Sequence, residues 1–161
     1  MKIALVSSIV PFVDDGDRSV VREVAVQLEA VGHHVHVLWL PRSTTTRTLI
    51  RELTAYRTLD ITDFADAMVC FDSPAHLVRH PRKIVWYLSR SSSVDVASNV
   101  SLHDSVRRAD AAAMGEASRI FASSETMRYR LREEDQADSE VLLPAASSDL
   151  TWSMVADRLL S

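Results

Sequence analysis

The chain has 161 residues and a formal net charge of −4, with 47% hydrophobic and 25% charged residues. A chain of this length forms one domain that buries roughly 70% of the surface exposed when unfolded, and the composition is that of a soluble globular protein. The negative balance gives no reason to expect nucleic acid, whose binding needs a clustered basic surface, and no apolar stretch approaches the length of a membrane span.

Lys2 to Val10 is a short run rich in β-branched residues and predicts a buried strand. Pro11 to Asp17 is a loop in which Gly16 is free to take backbone angles that other residues resist. Val20, Val24, Leu28 and Val31 recur at helical spacing, with Val21 and Ala25 widening the stripe, and Gly32 ends that helix at C′. His33 to Leu40 is a second strand. Strand, helix and strand make one βαβ unit, which predicts parallel pairing and a right-handed crossover. Met1-Lys2 leads straight into the first strand rather than into a signal peptide, and the single Cys70 cannot form an internal disulfide, so a cytoplasmic protein is expected.

Beyond the polar loop Pro41–Thr46, the residues Leu49, Ile50, Leu53, Tyr56 and Leu59 predict a helix over 48–59. Ala67 to Phe71 is a third strand, and His76 to Arg79 a short helix stopped at His80-Pro81. Lys83 to Leu88 is the fourth strand, followed by a long polar connection from Ser89 to Val100. Ser101-Leu-His-Asp104 resembles a capping box that opens a helix to about Ala117, its inner face carrying Leu102, Val106, Ala109 and Ala113. Arg119 to Ala122 is a fifth strand, Ser123-Ser124 caps a helix over 125–133, and Glu140 to Leu143 is a sixth strand. Ala145 to Ser148 is a joint of small residues. Trp152, Val155, Ala156, Leu159 and Leu160 then mark a final amphipathic helix that must lie on an apolar surface. The alternation predicts an α/β protein: a single doubly wound, Rossmann-like domain over 1–144, with a parallel sheet of about six strands and helices on both faces. Residues 145–161 add the joint and the helix that packs back on it.

Ligands of such sheets sit at the carboxyl ends of the strands. The loops there are Pro11–Asp17, Asp72–Ala75, Ser89–Ser93 and Ser123–Ser124, which makes Asp15, Gly16, Ser73, Ser89, Arg90, Ser91 and Ser123 the candidate cleft residues. Gly16 and Ser19 precede helix amides suited to phosphate, but Asp14, Asp15 and Asp17 stand beside them and repel an anion; an acidic, solvated loop is the simpler reading. The glycine spacing of a dinucleotide fingerprint is missing. An Asp pair after the first strand, with Asp72 as acceptor and Ser89 as hydroxyl, resembles phosphoryl-accepting receiver domains, but the fifth strand ends in Ala122-Ser123 without the lysine that holds the phosphate. Of His33, His34 and His36, only His34 and His36 share a strand face and no third ligand is identifiable, so no metal and no cofactor is expected. Ser91, Ser92 and Ser93 lack a Gly-x-Ser-x-Gly elbow.

Several stretches taken together resemble the N-terminal domain of retaining, family-4 glycosyltransferases of GT-B architecture. They are Met1-Lys-Ile-Ala-Leu-Val, Pro11-Phe-Val, Val20-Val-Arg-Glu-Val-Ala, Gly32-His33, Leu77 to Trp86, Arg107-Arg-Ala-Asp110, Gly115 to Ala122 and Glu140-Val-Leu-Leu-Pro144. The resemblance implies the acceptor-side lobe of a two-domain enzyme whose other lobe grips the nucleotide-sugar. Against that pattern the paired Gly after the first strand is matched as Asp15-Gly16, and the histidine-bearing cleft segment as Ser89-Arg90-Ser91-Ser92. A serine does not replace an imidazole as base near neutral pH. The donor domain is missing from the chain at the joint Ala145–Ser148, and Thr151–Leu160 resembles the family's terminal helix. The resemblance therefore implies a half-glycosyltransferase with no catalytic residue of its own. It is expected to act as a partner or binding subunit, joined to another protein chain or to itself through the surface the second lobe would cover. The alternative is the acceptor-binding half of a split, active nucleotide-sugar glycosyltransferase completed by a separate donor-binding chain.

Overall fold

The computed structural model describes residues 1–10, 16–42, 46–89 and 100–161, with the side chains of 46, 47, 49 and 100–103 left out of that description. Six parallel strands form one sheet in the order β2-β1-β3-β4-β5-β6: β1 (Lys2–Ile9), β2 (His34–Pro41), β3 (Ala67–Cys70), β4 (Lys83–Tyr87), β5 (Arg119–Ala122) and β6 (Glu140–Val141). The helices are α1 (Asp17–Ala30), α2 (Thr46–Thr58), α3 (Val100–Gly115), α4 (Glu125–Asp135) and α5 (Trp152–Leu160). This is the doubly wound α/β domain that the alternation predicts. None of the described helices is long and apolar enough to cross a membrane.

Central strands read as continuous apolar runs because both sheet faces are covered. Ile3 and Leu5 of β1, Val69 of β3 and Trp86 of β4 point to one face, where α1 supplies Val21, Val24 and Leu28 and α5 supplies Val155, Ala156 and Leu159. Ala4, Val6, Met68 and Cys70 point to the other, against Tyr56 of α2, Leu77 and Ala113 of α3. Val85 and Tyr87 continue that second face under Met127 and Leu131 of α4. Trp86 is fully buried, donates its indole N–H to the Leu142 carbonyl at 2.9 Å, and lies 5.9 Å from the Phe71 ring.

Element ends follow local chemistry. At the end of α1, Gly32 takes φ +90°, its N–H bonds the Glu29 carbonyl, and the His33 N–H reaches back to Leu28. That pair of bonds requires a left-handed residue at C′, which glycine adopts without strain. Ser124 caps α4 by accepting the Met127 N–H at 3.1 Å, and Thr151 caps α5 through the Met154 N–H. Gly16 does not use its freedom: it sits at φ −60°, an ordinary helical angle open to any residue, because it already begins the first turn of α1. Two expectations, the cap of α3 and the helix over 76–79, are corrected. α3 begins at Val100, so Ser101 lies inside the helix and not at its cap. The short helix expected over 76–79 is a single 3-10 turn over Ala75–Leu77.

α5 lies against α1, and its end is tied to the sheet where Glu140 of β6 binds both Arg119 and Arg158 at 3.1 Å. Leu159 is wholly buried there. Leu159→Ala is therefore expected to cost about 2–5 kcal/mol in urea denaturation; a cost below about 1 kcal/mol, the range of a surface change, would show that α5 stands outside the core.

Candidate functional site

The chain runs from β1 outward to β2 and then back across β1 to β3, so the winding direction changes between β1 and β3. The crevice of such a fold opens there, at the carboxyl ends of the strands. The structure puts a buried carboxylate at that point. Asp72, directly after β3, receives the Ser7 hydroxyl on Oδ2 at 2.7 Å and the Ser8 N–H at 2.9 and 3.0 Å on its two oxygens. Ser7, Ser8 and Asp72 are all buried. Burial pushes the Asp72 carboxyl up to about 6, against the opposing pull of the Ser7 and Ser8 hydrogen bonds and the Arg42 charge.

Arg42 leaves the end of β2 with its own N–H on the Ile9 carbonyl at 2.7 Å. Arg42 is 9% exposed; its guanidinium lies at 3.4 Å from the Ser73 carbonyl, and among the described residues its Nε has no hydrogen-bond partner. The Ser73–Pro74 peptide is cis. Tyr56 of α2 donates its hydroxyl to the Pro41 carbonyl. Burial first, then Glu52 and Asp72, push that phenol up to about 12, so it stays a donor across the physiological range.

Of the residues expected to form the cleft, Gly16, Ser73, Ser89 and Ser123 lie along the carboxyl edge of the sheet; Asp15, Arg90 and Ser91 lie outside the described residues, as do Asp14, Ser92 and Ser93. Ser89 donates its hydroxyl to Asp17 at the start of α1, which joins the end of β4 to that helix. The Ser123 hydroxyl donates to the Leu88 carbonyl at 2.6 Å, and the Ser8 hydroxyl approaches the Ser73 carbonyl at 3.4 Å. Along this edge the hydroxyls of Ser7, Ser8, Ser89 and Ser123 thus point their protons into the protein. Such groups offer lone pairs to a ligand, and an engaged proton is not available for transfer.

A second polar cluster lies under α3 on the same face of the sheet as Tyr56, and sequence reasoning missed it. Lys83, wholly buried at the start of β4, donates to the His76 carbonyl at 2.9 Å and to Glu116 at 3.1 Å. His76, also wholly buried, sets Nε2 at 3.0 Å from Asp110 of α3, with the Tyr87 hydroxyl at 3.5 Å from Nδ1. Glu116 also pairs with Arg57, which foremost, with Lys83 in support, holds its carboxyl down to about 2. This cluster pins α2 and α3 to the sheet. The lysine in an otherwise apolar strand was its one visible signal.

The amino-terminal histidines are placed separately: His33 is 3.4 Å from the terminal amine, and His36 stacks on Phe64 with ring centroids 5.1 Å apart. Among the described residues no group of three His, Cys, Asp or Glu is arranged to hold a metal ion. Burial pushes the Cys70 thiol up to about 12, which leaves it protonated and inert. No protein-family model matches the chain, and no curated protein matches it. The likeness to glycosyltransferases is carried by the residues quoted for it alone.

The two carboxyls act in opposite directions with pH. Asp72 binds its proton more tightly in the folded protein, at about 6 against an ordinary 3.8, so its contribution to stability falls as pH rises across that window and is level above it. Glu116, held at about 2 against 4.5, contributes stability above 4.5 that is lost as pH falls through 2. In urea midpoints measured at pH 4.5 and 7, Asp72→Asn is expected to remove the part of the pH dependence lying between about 4 and 6. An unchanged difference between the two pH values would contradict the burial of Asp72.

Proposed function

We propose that this chain is a glycosyltransferase-like acceptor-side domain that does not catalyse transfer alone and serves as a binding or partner subunit in glycosyl transfer. The observation that carries the proposal is the state of the carboxyl edge. Ser7, Ser89 and Ser123 donate their protons to Asp72, Asp17 and the Leu88 carbonyl, and the buried imidazole of His76 is closed off under α3 by Asp110 and Tyr87. A general base must reach the proton it removes, by direct contact or through one water. An edge of engaged hydroxyls and carbonyl oxygens suits recognition of a polyhydroxylated acceptor or of a second polypeptide. The family resemblance supports the sugar; the α/β sheet with its crevice between β1 and β3 supports a binding surface of that kind. A cytoplasmic setting belongs to the same proposal, and the protonated, buried Cys70 suits it.

Incubating the isolated chain with a panel of nucleotide-sugars and following nucleotide release tests this reading. No release above the uncatalysed rate is the expected result, and turnover by the chain alone would overturn it. Transfer that appears only when a separate donor-binding chain is added would replace the partner-subunit reading with that of a split enzyme.

A further inference from the structure

The two edges of the sheet are finished differently. β6 is two residues long and carries Glu140, engaged by two arginines, which is how a protein blunts an edge against pairing. β2 is eight residues long, HVHVLWLP, and its ionisable side chains are His34 and His36. Among the described residues no strand pairs with its outer side.

The direction of its backbone groups follows from two hydrogen bonds. The His34 N–H goes to Met1 and the Arg42 N–H to Ile9, both towards β1. Backbone groups alternate along a strand, so His36, Leu38 and Leu40 also face β1, while Val35, Val37, Trp39 and Pro41 face outward. Pro41 has no N–H, and its carbonyl already accepts the Tyr56 hydroxyl. The open row is therefore Val35, Val37 and Trp39, symmetric about Val37.

We infer that this edge pairs with the same edge of a second copy, antiparallel, with the two-fold axis at Val37. In that register Val37 faces Val37 of the partner subunit, and Val35 faces Trp39 of the partner subunit. All three outward residues exchange both hydrogen bonds. The next pair outward is Pro41 against His33 of the partner subunit; Pro41 offers no donor, and the His33 N–H is already on Leu28, so the ladder stops at both ends together. A slip of the axis to Trp39 would set Val37 against the donorless Pro41 and lose bonds.

Side chains fit the same register. Beside the strand lies an open apolar recess of about 610 Å³ lined by Leu38, Leu40, Leu59, Ile61 and Phe64, with Asp60 at its rim. His36 of the partner subunit falls opposite Leu38 and His34 of the partner subunit opposite Leu40, which brings the strand's imidazoles to the apolar recess, at whose rim Asp60 is paired with Arg79 at 3.4 Å. No like charges face one another. The product is one continuous sheet through two copies, and the closed two-fold contact consumes the edge. Pairing through one strand and its recess is a small interface, so association is expected in about the micromolar range.

Sedimentation equilibrium of the full chain over about 1–200 µM spans that range. The expected result is a concentration-dependent rise from the 18.0 kDa monomer to twice that mass. Val37→Pro removes the central donor from a position where an edge strand tolerates proline, and is expected to hold the protein monomeric with an unchanged circular dichroism spectrum. The double variant H34E/H36E alters exposed side chains and sets the two new carboxylates at position 36 diagonally across the seam from each other, where like charges repel. It is expected to raise the dimer Kd at least about tenfold, and it decides the matter should Val37→Pro fail to fold. A wild-type chain that stays monomeric throughout, or a dimer indifferent to H34E/H36E, would overturn the inference.

Discussion

One carboxylate joins the two halves of this fold. Asp72 stands where the winding of the sheet reverses, and its contacts with Ser7 and Ser8 reach across 65 and 64 positions of sequence to tie the end of β3 to the end of β1. Removing it would leave the Ser8 N–H and the Ser7 hydroxyl buried without acceptors, each a costly loss in a dry interior. The charge itself is expensive there, which is why the carboxyl titrates high and why Arg42 lies close. Everything around the crevice is referred to that pin: the turn at Ser73–Pro74, the guanidinium on the Ser73 carbonyl, and the exit of β2 at Pro41 under the Tyr56 hydroxyl.

The same solution recurs under α3. Lys83 and His76 are charged or polar groups inside an apolar face: Lys83 is held by Glu116 and the His76 carbonyl, while His76 Nε2 faces Asp110 at 3.0 Å without an aligned hydrogen bond. Buried polar groups of this sort specify one arrangement of helices on the sheet more than they add stability, since an apolar replacement of equal volume leaves nothing unsatisfied. Together the two clusters explain how an apolar two-faced sheet holds its helices in fixed positions, and along the carboxyl edge the hydroxyls of Ser7, Ser89 and Ser123 already have acceptors.

The architecture was legible in the sequence because its signals are local. The 3.6-residue stripe of Val20, Val24 and Leu28, the left-handed Gly32, and the Ser124 cap each act within a few residues of themselves. Strand ends were less legible: β6 stops at Val141, short of Leu143, because pairing with β5 covers Glu140 and Val141 only. Gly16 has a freedom that it does not use, because a glycine in a loop before a helix permits unusual angles without requiring them. Ser73, Ser89 and Ser123 could be placed at one edge from topology alone. Ser7, Ser8 and Arg42 could not, for a serine pair inside an apolar strand and an arginine in a polar loop show their purpose only when a carboxylate from a distant turn meets them.

The account rests on the Asp72 carboxyl being enclosed, with its lone pairs occupied by β1. A carbon-13 titration of that side chain in the 161-residue chain measures this directly. Enclosure predicts a midpoint near 6, with the Ser8 amide shifting in step. A midpoint near the ordinary 3.8 would mean a solvated, accessible carboxylate, and would contradict both the enclosure of Asp72 and the reading of this edge as a surface that binds without reacting.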